Sequence, residues 1–283
     1  MERVPAVPAD VRKFADKIPH PVALIGCHTT DASLECCEYD LAVFAPGDDQ
    51  VMCIDRRVIE IVHFSQPARN YVVELGGMSI LKDSNKFTLS SVAADVSKRY
   101  KRALAAAGKK SLISSLFCQQ KMVQSKHPGV AAMWLKISAY DFLEGLLALS
   151  GVRPMPLHEL EQIRQKGSAT EGIEVALECI GTDRATRPTI SRSLQAILEL
   201  KSKDYDKKLF AAKTDHLLEK SMLTDCYYYA GRVAAKDLVK RTNQFHNKYS
   251  KLIQLALDLS SDEQQLEKMQ KKLSRAARDG LKA

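Results

Sequence analysis

Residues 21–44 read PVALIGCHTTDASLECCEYDLAVF, and this stretch decides the fold. Val22–Ile25 is a short apolar run, Gly26-Cys27 a turn, and Tyr39–Phe44 a second run that opens on two carboxylates, Glu38 and Asp40. Strand side chains alternate between faces, so residues two apart point the same way. Glu38 and Asp40 therefore share one face at the start of a strand, close enough to share a divalent cation. Hard cations such as Mg²⁺ take oxygen ligands, commonly one or two carboxylates plus substrate phosphates. Paired acids beside a glycine turn predict metal-assisted chemistry on a nucleotide.

Outward from this core the pattern continues as strand and turn. Pro8-Ala9-Asp10 opens a helix whose apolar face is Val11, Phe14, Ala15 and Ile18, stopped by Pro19. Downstream, Val51–Ile54 and Val58–Phe64 are apolar runs separated by Asp55-Arg56-Arg57. Tyr71–Leu81, interrupted by Gly76-Gly77, reads equally as a hairpin or as a helix end followed by a strand. From Ser90 the period becomes helical. A helix capped by Ser90 or Ser91 is expected to end at Ala107, before Gly108. Further helices are expected over Trp134–Leu149, Leu157–Lys166, Glu171–Cys179, Thr189–Lys201, Asp206–Lys240, Phe245–Asp258 and Glu263–Ala277. The expected architecture is an α/β (α+β) unit with a mixed sheet over residues 1–125, followed by an all-α domain over 126–283.

The glycine turn and the acid-bearing strand together resemble the signature of the DNA polymerase β-like nucleotidyltransferase superfamily. That signature is an apolar residue, Gly, then Gly or Ser, a gap of roughly nine to thirteen residues, and Asp or Glu at alternate positions among apolar residues. In this chain it is Ile25-Gly26-Cys27, a ten-residue gap, then Glu38-Tyr39-Asp40-Leu41-Ala42-Val43. The resemblance implies that Glu38 and Asp40 hold two Mg²⁺ ions on a nucleoside triphosphate. It also implies a third acid on a following strand, for which Glu60 is the candidate: it shares a metal and takes the proton from the attacking hydroxyl. Gly26, Cys27, His28 and Thr29 would then lie against the phosphates, and Arg99 and Arg102 would reach the departing pyrophosphate. The chain departs from the family at three points. Cys27 stands where Ser is usual, Glu38 where Asp is commoner, and His28-Thr29-Thr30-Asp31 replaces a small, basic loop.

Each of these residues has a plainer reading. Glu38 and Asp40 are also what a polar strand entrance looks like, and Glu60 a surface residue of an edge strand. Asp55 competes as third acid, although Asp is common in turns. The Lys98, Arg99, Lys101 and Arg102 cluster reads as a solvated helix face. Tyr227-Tyr228-Tyr229 spread around a helix, so one or two are expected in the core and an exposed one could stack on a base. Arg241–His246 resembles the R-x₄₋₆-H pattern of HEPN-type helical ribonucleases.

Charge and cysteine usage bound the partners. The 283 residues carry a formal charge of +8, and residues 1–90 hold 9 Lys/Arg against 13 Asp/Glu while residues 201–283 hold 18 against 11. An acidic front half and basic helices suit a metal site facing a surface that receives polyanions, RNA or a protein acceptor. The seven cysteines form no regular framework and lack zinc-ligand spacing, as expected of reduced thiols in a cytoplasm. The absence of a long apolar run or a secretory leader pattern predicts no membrane partner and a cytoplasmic location. A non-catalytic protein on the same fold, holding nucleotide, RNA or a protein partner, is the alternative function.

Overall fold

A computed structural model describes residues 7–65, 68–84, 88–166, 171–200, 206–240, 250–259 and 262–282. The chain forms two compact units, Met1–Leu104 and Ala105–Ala283. Arg241 and His246 lie outside the described residues.

The first unit is built on a five-stranded mixed sheet of β1 (Val22–Ile25), β2 (Tyr39–Val43), β3 (Gln50–Ile54), β4 (Arg57–His63) and β5 (Ser79–Lys82), in the order β3-β4-β2-β1-β5. β2 and β4 pair in parallel and the other neighbours are antiparallel. β3 and β4 are joined by a two-residue turn, with Asp55 and Arg56 both at positive φ (46° and 68°), the requirement of a type I′ hairpin. Asp55 thus sits at the hairpin tip, exposed, and is set aside as a third acid.

β1 reads as an unbroken apolar run because both its faces are covered. On one side α1 (Ala9–Lys17) lays Val11 and Ala15 against Leu24, Leu41, Val43 and Ile59. On the other, Ala23, Ile25 and Ala42 meet Phe64, Leu75 and the start of α2 (Leu89–Gln124), through Leu89 and Val96. At roughly 25 cal/mol per Å² of apolar surface removed from water, these two layers are what hold the sheet in place. Tyr71–Leu81 resolves as turns followed by a strand: a 3₁₀ turn over Ala68–Tyr71, further turns through Gly77, then β5.

α2 is not capped by Ser90 or Ser91. It begins at Leu89, whose amide donates to both Asp83 carboxylate oxygens at 2.9 and 3.1 Å. The Leu89 amide, with those of Ser84 and Ser90, holds the Asp83 carboxyl below its usual range. Nor does α2 stop at Gly108. It runs to Gln124, so the division between the two units falls inside it rather than after residue 125. Gly108 is a packing glycine: a Cβ there would lie 2.9 Å from the Gly145 carbonyl oxygen.

The second unit is helical. Its centre is α3 (Pro128–Leu149), apolar on nearly every side and buried accordingly, with Pro at its first position. Around it stand α4 (Glu159–Gln165), α5 (Glu171–Ile180), α6 (Arg187–Glu199), α7 (Lys207–Glu219), α8 (Leu223–Lys240), α9 (Ser250–Leu257) and α10 (Glu263–Lys282). The single run expected over Asp206–Lys240 is broken at Ser221. Ser221 adopts φ 58°, and the Met222 amide reaches back to the Leu217 carbonyl at 2.8 Å. This is a Schellman ending made with serine in place of the usual glycine, which removed the stop signal from the sequence. Among the described residues no helix is long and apolar enough to cross a membrane.

Candidate metal centre

Strand pairing assembles the centre. β2 and β4 lie side by side in parallel register, with Asp40 opposite Glu60 and Tyr39 opposite Ile59. β4 is flanked by β3 as well as β2, so Glu60 is on an inner strand, not on an edge. Glu38 precedes β2 on the face of Asp40. One carboxylate oxygen from each of Glu38, Asp40 and Glu60 lies within 4.8 Å of the others. All three side chains are half-buried, and Glu38 Oε2 and Asp40 Oδ1 are shielded from solvent.

Asp40 also pairs with Ile25 at the end of β1, which places the following glycine beneath its carboxylate. Gly26 adopts φ 77° and ψ −159°, a region essentially reserved for glycine. The chain then makes one 3₁₀ turn, Cys27–Thr29. An all-oxygen donor set of three converging carboxylates, packed over a backbone corner without side chain, fits a hard divalent cation such as Mg²⁺ and not a thiophilic one.

The four residues expected against phosphate differ in placement. Gly26 lies at the corner. Cys27 is buried and its thiol is pushed well above the usual range, chiefly by a hydrogen bond with Cys37, then by burial and by the Asp40 and Glu38 charges. His28 stacks on Tyr39 with ring centroids 3.8 Å apart and 3° between planes, and its Nε2 donates to the Cys37 carbonyl at 3.2 Å. The Thr29 hydroxyl donates to the Gly26 carbonyl at 2.8 Å, and that of Thr30 to Cys27 at 2.7 Å. The side chains of His28, Thr29 and Thr30 are therefore engaged with the protein's own backbone and with Tyr39. Arg99 and Arg102 are exposed on α2, and Arg99 Nε pairs with Asp95 at 3.0 Å on its own helix. Neither is brought to the acids by a described contact.

Two features of the helical unit were not legible as motifs. Arg232, 4% exposed, is ion-paired with Glu144 and with the fully buried Glu159, while the Ser111 hydroxyl donates to Glu144 at 2.9 Å. Lys136 is fully buried, with its Nζ donating to the Tyr227 hydroxyl at 3.0 Å and to the Leu257 carbonyl at 2.5 Å. Such groups come from helices far apart in sequence, so spacing carries no trace of them. The three consecutive tyrosines 227, 228 and 229 are all buried, at 4%, 1% and 6% exposure, which leaves none to stack on a base. A cavity of about 550 Å³ between α3, α5 and α10 has an apolar floor of Phe142 and Val175, with Lys272 and Arg275 among its polar lining. Lys271 and Lys272 are partly offset there by Glu267 and Glu171.

No family model, no curated protein and no solved structure matches this chain.

Proposed function

We propose that this protein is a Mg²⁺-dependent nucleotidyltransferase of the DNA polymerase β-like type, moving a nucleoside monophosphate from a triphosphate onto a hydroxyl acceptor. The observation that carries the reading is the convergence of Glu38, Asp40 and Glu60 within 4.8 Å over a glycine corner. In this reading Glu38 and Asp40 hold the metal and Glu60 completes its ligand set. Bound Mg²⁺ would supply charge neutralisation along the triphosphate and at the entering and leaving oxygens. The backbone of residues 26–29 orients the phosphates. Glu60 accepts the proton as the acceptor hydroxyl bonds to the α-phosphorus. The bond to the β-phosphate oxygen breaks, and pyrophosphate departs. A cytoplasmic location accords with seven free thiols. The basic helical region supports an RNA or protein acceptor.

The test is incubation of the protein with each of the four α-³²P-labelled ribonucleoside triphosphates, Mg²⁺ and total RNA or protein as acceptor. Transfer of label, reduced at least about a hundredfold by Glu60→Gln and abolished by Glu38→Ala/Asp40→Ala, is the expected result. No transfer, and no triphosphate-dependent thermal shift, overturns it.

One observation favours a second reading, a non-catalytic nucleotide, RNA or protein binder on the same fold. The hydroxyls of Thr29 and Thr30 are turned back onto the carbonyls of Gly26 and Cys27, and the Cys27 thiol is engaged by Cys37. Triphosphate binding that persists unchanged in Glu38→Ala/Asp40→Ala, with no transfer of label, selects it.

A further inference from the structure

Beside the Gly26 corner lies a second, smaller cavity of about 240 Å³. One wall is the Gly76-Gly77-Met78 turn that leads into β5. The other is a single face of α2, where Val96, Ser97 and Tyr100 follow at helical spacing. The Tyr100 ring lies directly on Gly76: a Cβ at that position would sit 2.0 Å from Cε2. Glycine at 76 is therefore what admits the ring. Gly77, at φ +74°, faces the corner, its would-be Cβ 3.7 Å from Thr29 Oγ1. That hydroxyl in turn donates to the Gly26 carbonyl. Gly77 thus links the lining of this cavity to the turn that follows Gly26.

The lining carries no charged residue. It offers apolar surface, one aromatic ring, an exposed hydroxyl at Ser97 and the backbone of Gly77, while the Gly76 amide already donates to the Val73 carbonyl at 3.3 Å. Small-molecule sites are mostly apolar with a few placed polar groups, and whole ligands occupy roughly 300–1,000 Å³. A smaller cavity suits a ring-sized part of a ligand. Aromatic walls favour planar rings, stacked or edge-on, and backbone amides and carbonyls can read donors and acceptors on their edges.

We infer that this slot receives the nucleobase of the nucleoside triphosphate whose phosphates lie at the acid corner, with Tyr100 as its wall and the Gly77 backbone as its edge reader. The inference rests on the nucleotidyltransferase reading of that corner.

The experiment separates base from phosphate. Binding of ATP, GTP, CTP and UTP is compared with binding of inorganic tripolyphosphate by calorimetry, all with Mg²⁺. At least one nucleotide is expected to bind about tenfold tighter than tripolyphosphate, the scale of one stacked base. Tyr100→Leu, and Ser97→Leu from the exposed rim, each remove about that tenfold advantage and leave tripolyphosphate affinity unchanged. Matching circular dichroism and unfolding midpoints establish that Ser97→Leu is folded. Equal binding of tripolyphosphate and all four nucleotides to the wild-type protein overturns the slot and leaves the corner standing. So does undiminished nucleotide binding in Ser97→Leu. If neither ligand binds, the slot and the reading beneath it fall together.

Discussion

The carboxylate of Asp40 occupies the space where a side chain at Gly26 would be: a Cβ at position 26 would lie 1.8 Å from Asp40 Oδ2. The glycine is thus required twice, once for its backbone conformation and once to make room for a candidate metal ligand. Gly26→Ala is expected to destabilise the protein by about 1–3 kcal/mol from backbone strain alone, with a further loss from displacement of Asp40. In an Asp40→Ala background the second part disappears. A double-mutant cycle in urea measures it as a coupling between the two sites, and additive effects would show that Asp40 is free to move aside.

Three carboxylates gathered within 4.8 Å are a donor set for one shared divalent cation, and Glu60→Gln removes one of its charges. Mg²⁺ in hundredfold excess over its dissociation constant should stabilise the wild type by about 2.7 kcal/mol, and the Gln variant much less. Unfolding with and without EDTA reads both effects. A Mg²⁺ increment equal in the two proteins would place the cation elsewhere.

Gly108 and Gly145 let α2 and α3 approach until backbone meets backbone, each would-be Cβ lying within about 3 Å of the other's carbonyl oxygen. Gly108→Val gains helix propensity at an interior position but overpacks this crossing. A net loss of about 1–3 kcal/mol is expected, measured by chemical denaturation. A stabilised variant would mean that the glycine does mark a helix stop.

Burial lowers Lys136 to about 7, with the Arg184 charge acting in the same direction and Asp258 opposing. Between that value and 10.5, the ordinary value for lysine, the unfolded chain holds one proton more than the folded protein. Stability from this group therefore rises with pH across the window, by up to about 1.4 kcal/mol per pH unit, and is level below it. The unfolding free energy of the wild type minus that of Lys136→Met should climb accordingly from pH 7.5 to about 9.5. A flat difference would show that Lys136 stays charged in the fold.

Much of the first unit is legible in the residue pattern, because strands and tight turns are local. Val22–Ile25 announces itself as a buried strand by its unbroken apolar run. Gly26 marks the corner, and the period of two puts Glu38 and Asp40 on one face. The helices of the second unit follow from apolar spacing in the same way. Their boundaries did not where the punctuation is unusual: Asp83 caps α2 from before its start, and Ser221 stands in for a stop glycine.

The meeting of Glu60 with Asp40 belongs to another level. It depends on a parallel pairing between β2 and β4, and a shift of one residue would send Glu60 to the opposite face. Ile59 and Ile61 bury into the layer that includes α1 and so turn Glu60 to the other face, but which strand lies beside it is decided by a segment some twenty residues earlier in the chain. Non-local packing likewise made Gly108 a helix contact, buried all three tyrosines at 227–229, and closed Tyr100 over Gly76. Backbone periodicity settles which way a side chain points. What it then meets is decided by the chain segments that cover it, and sequence distance carries no record of those.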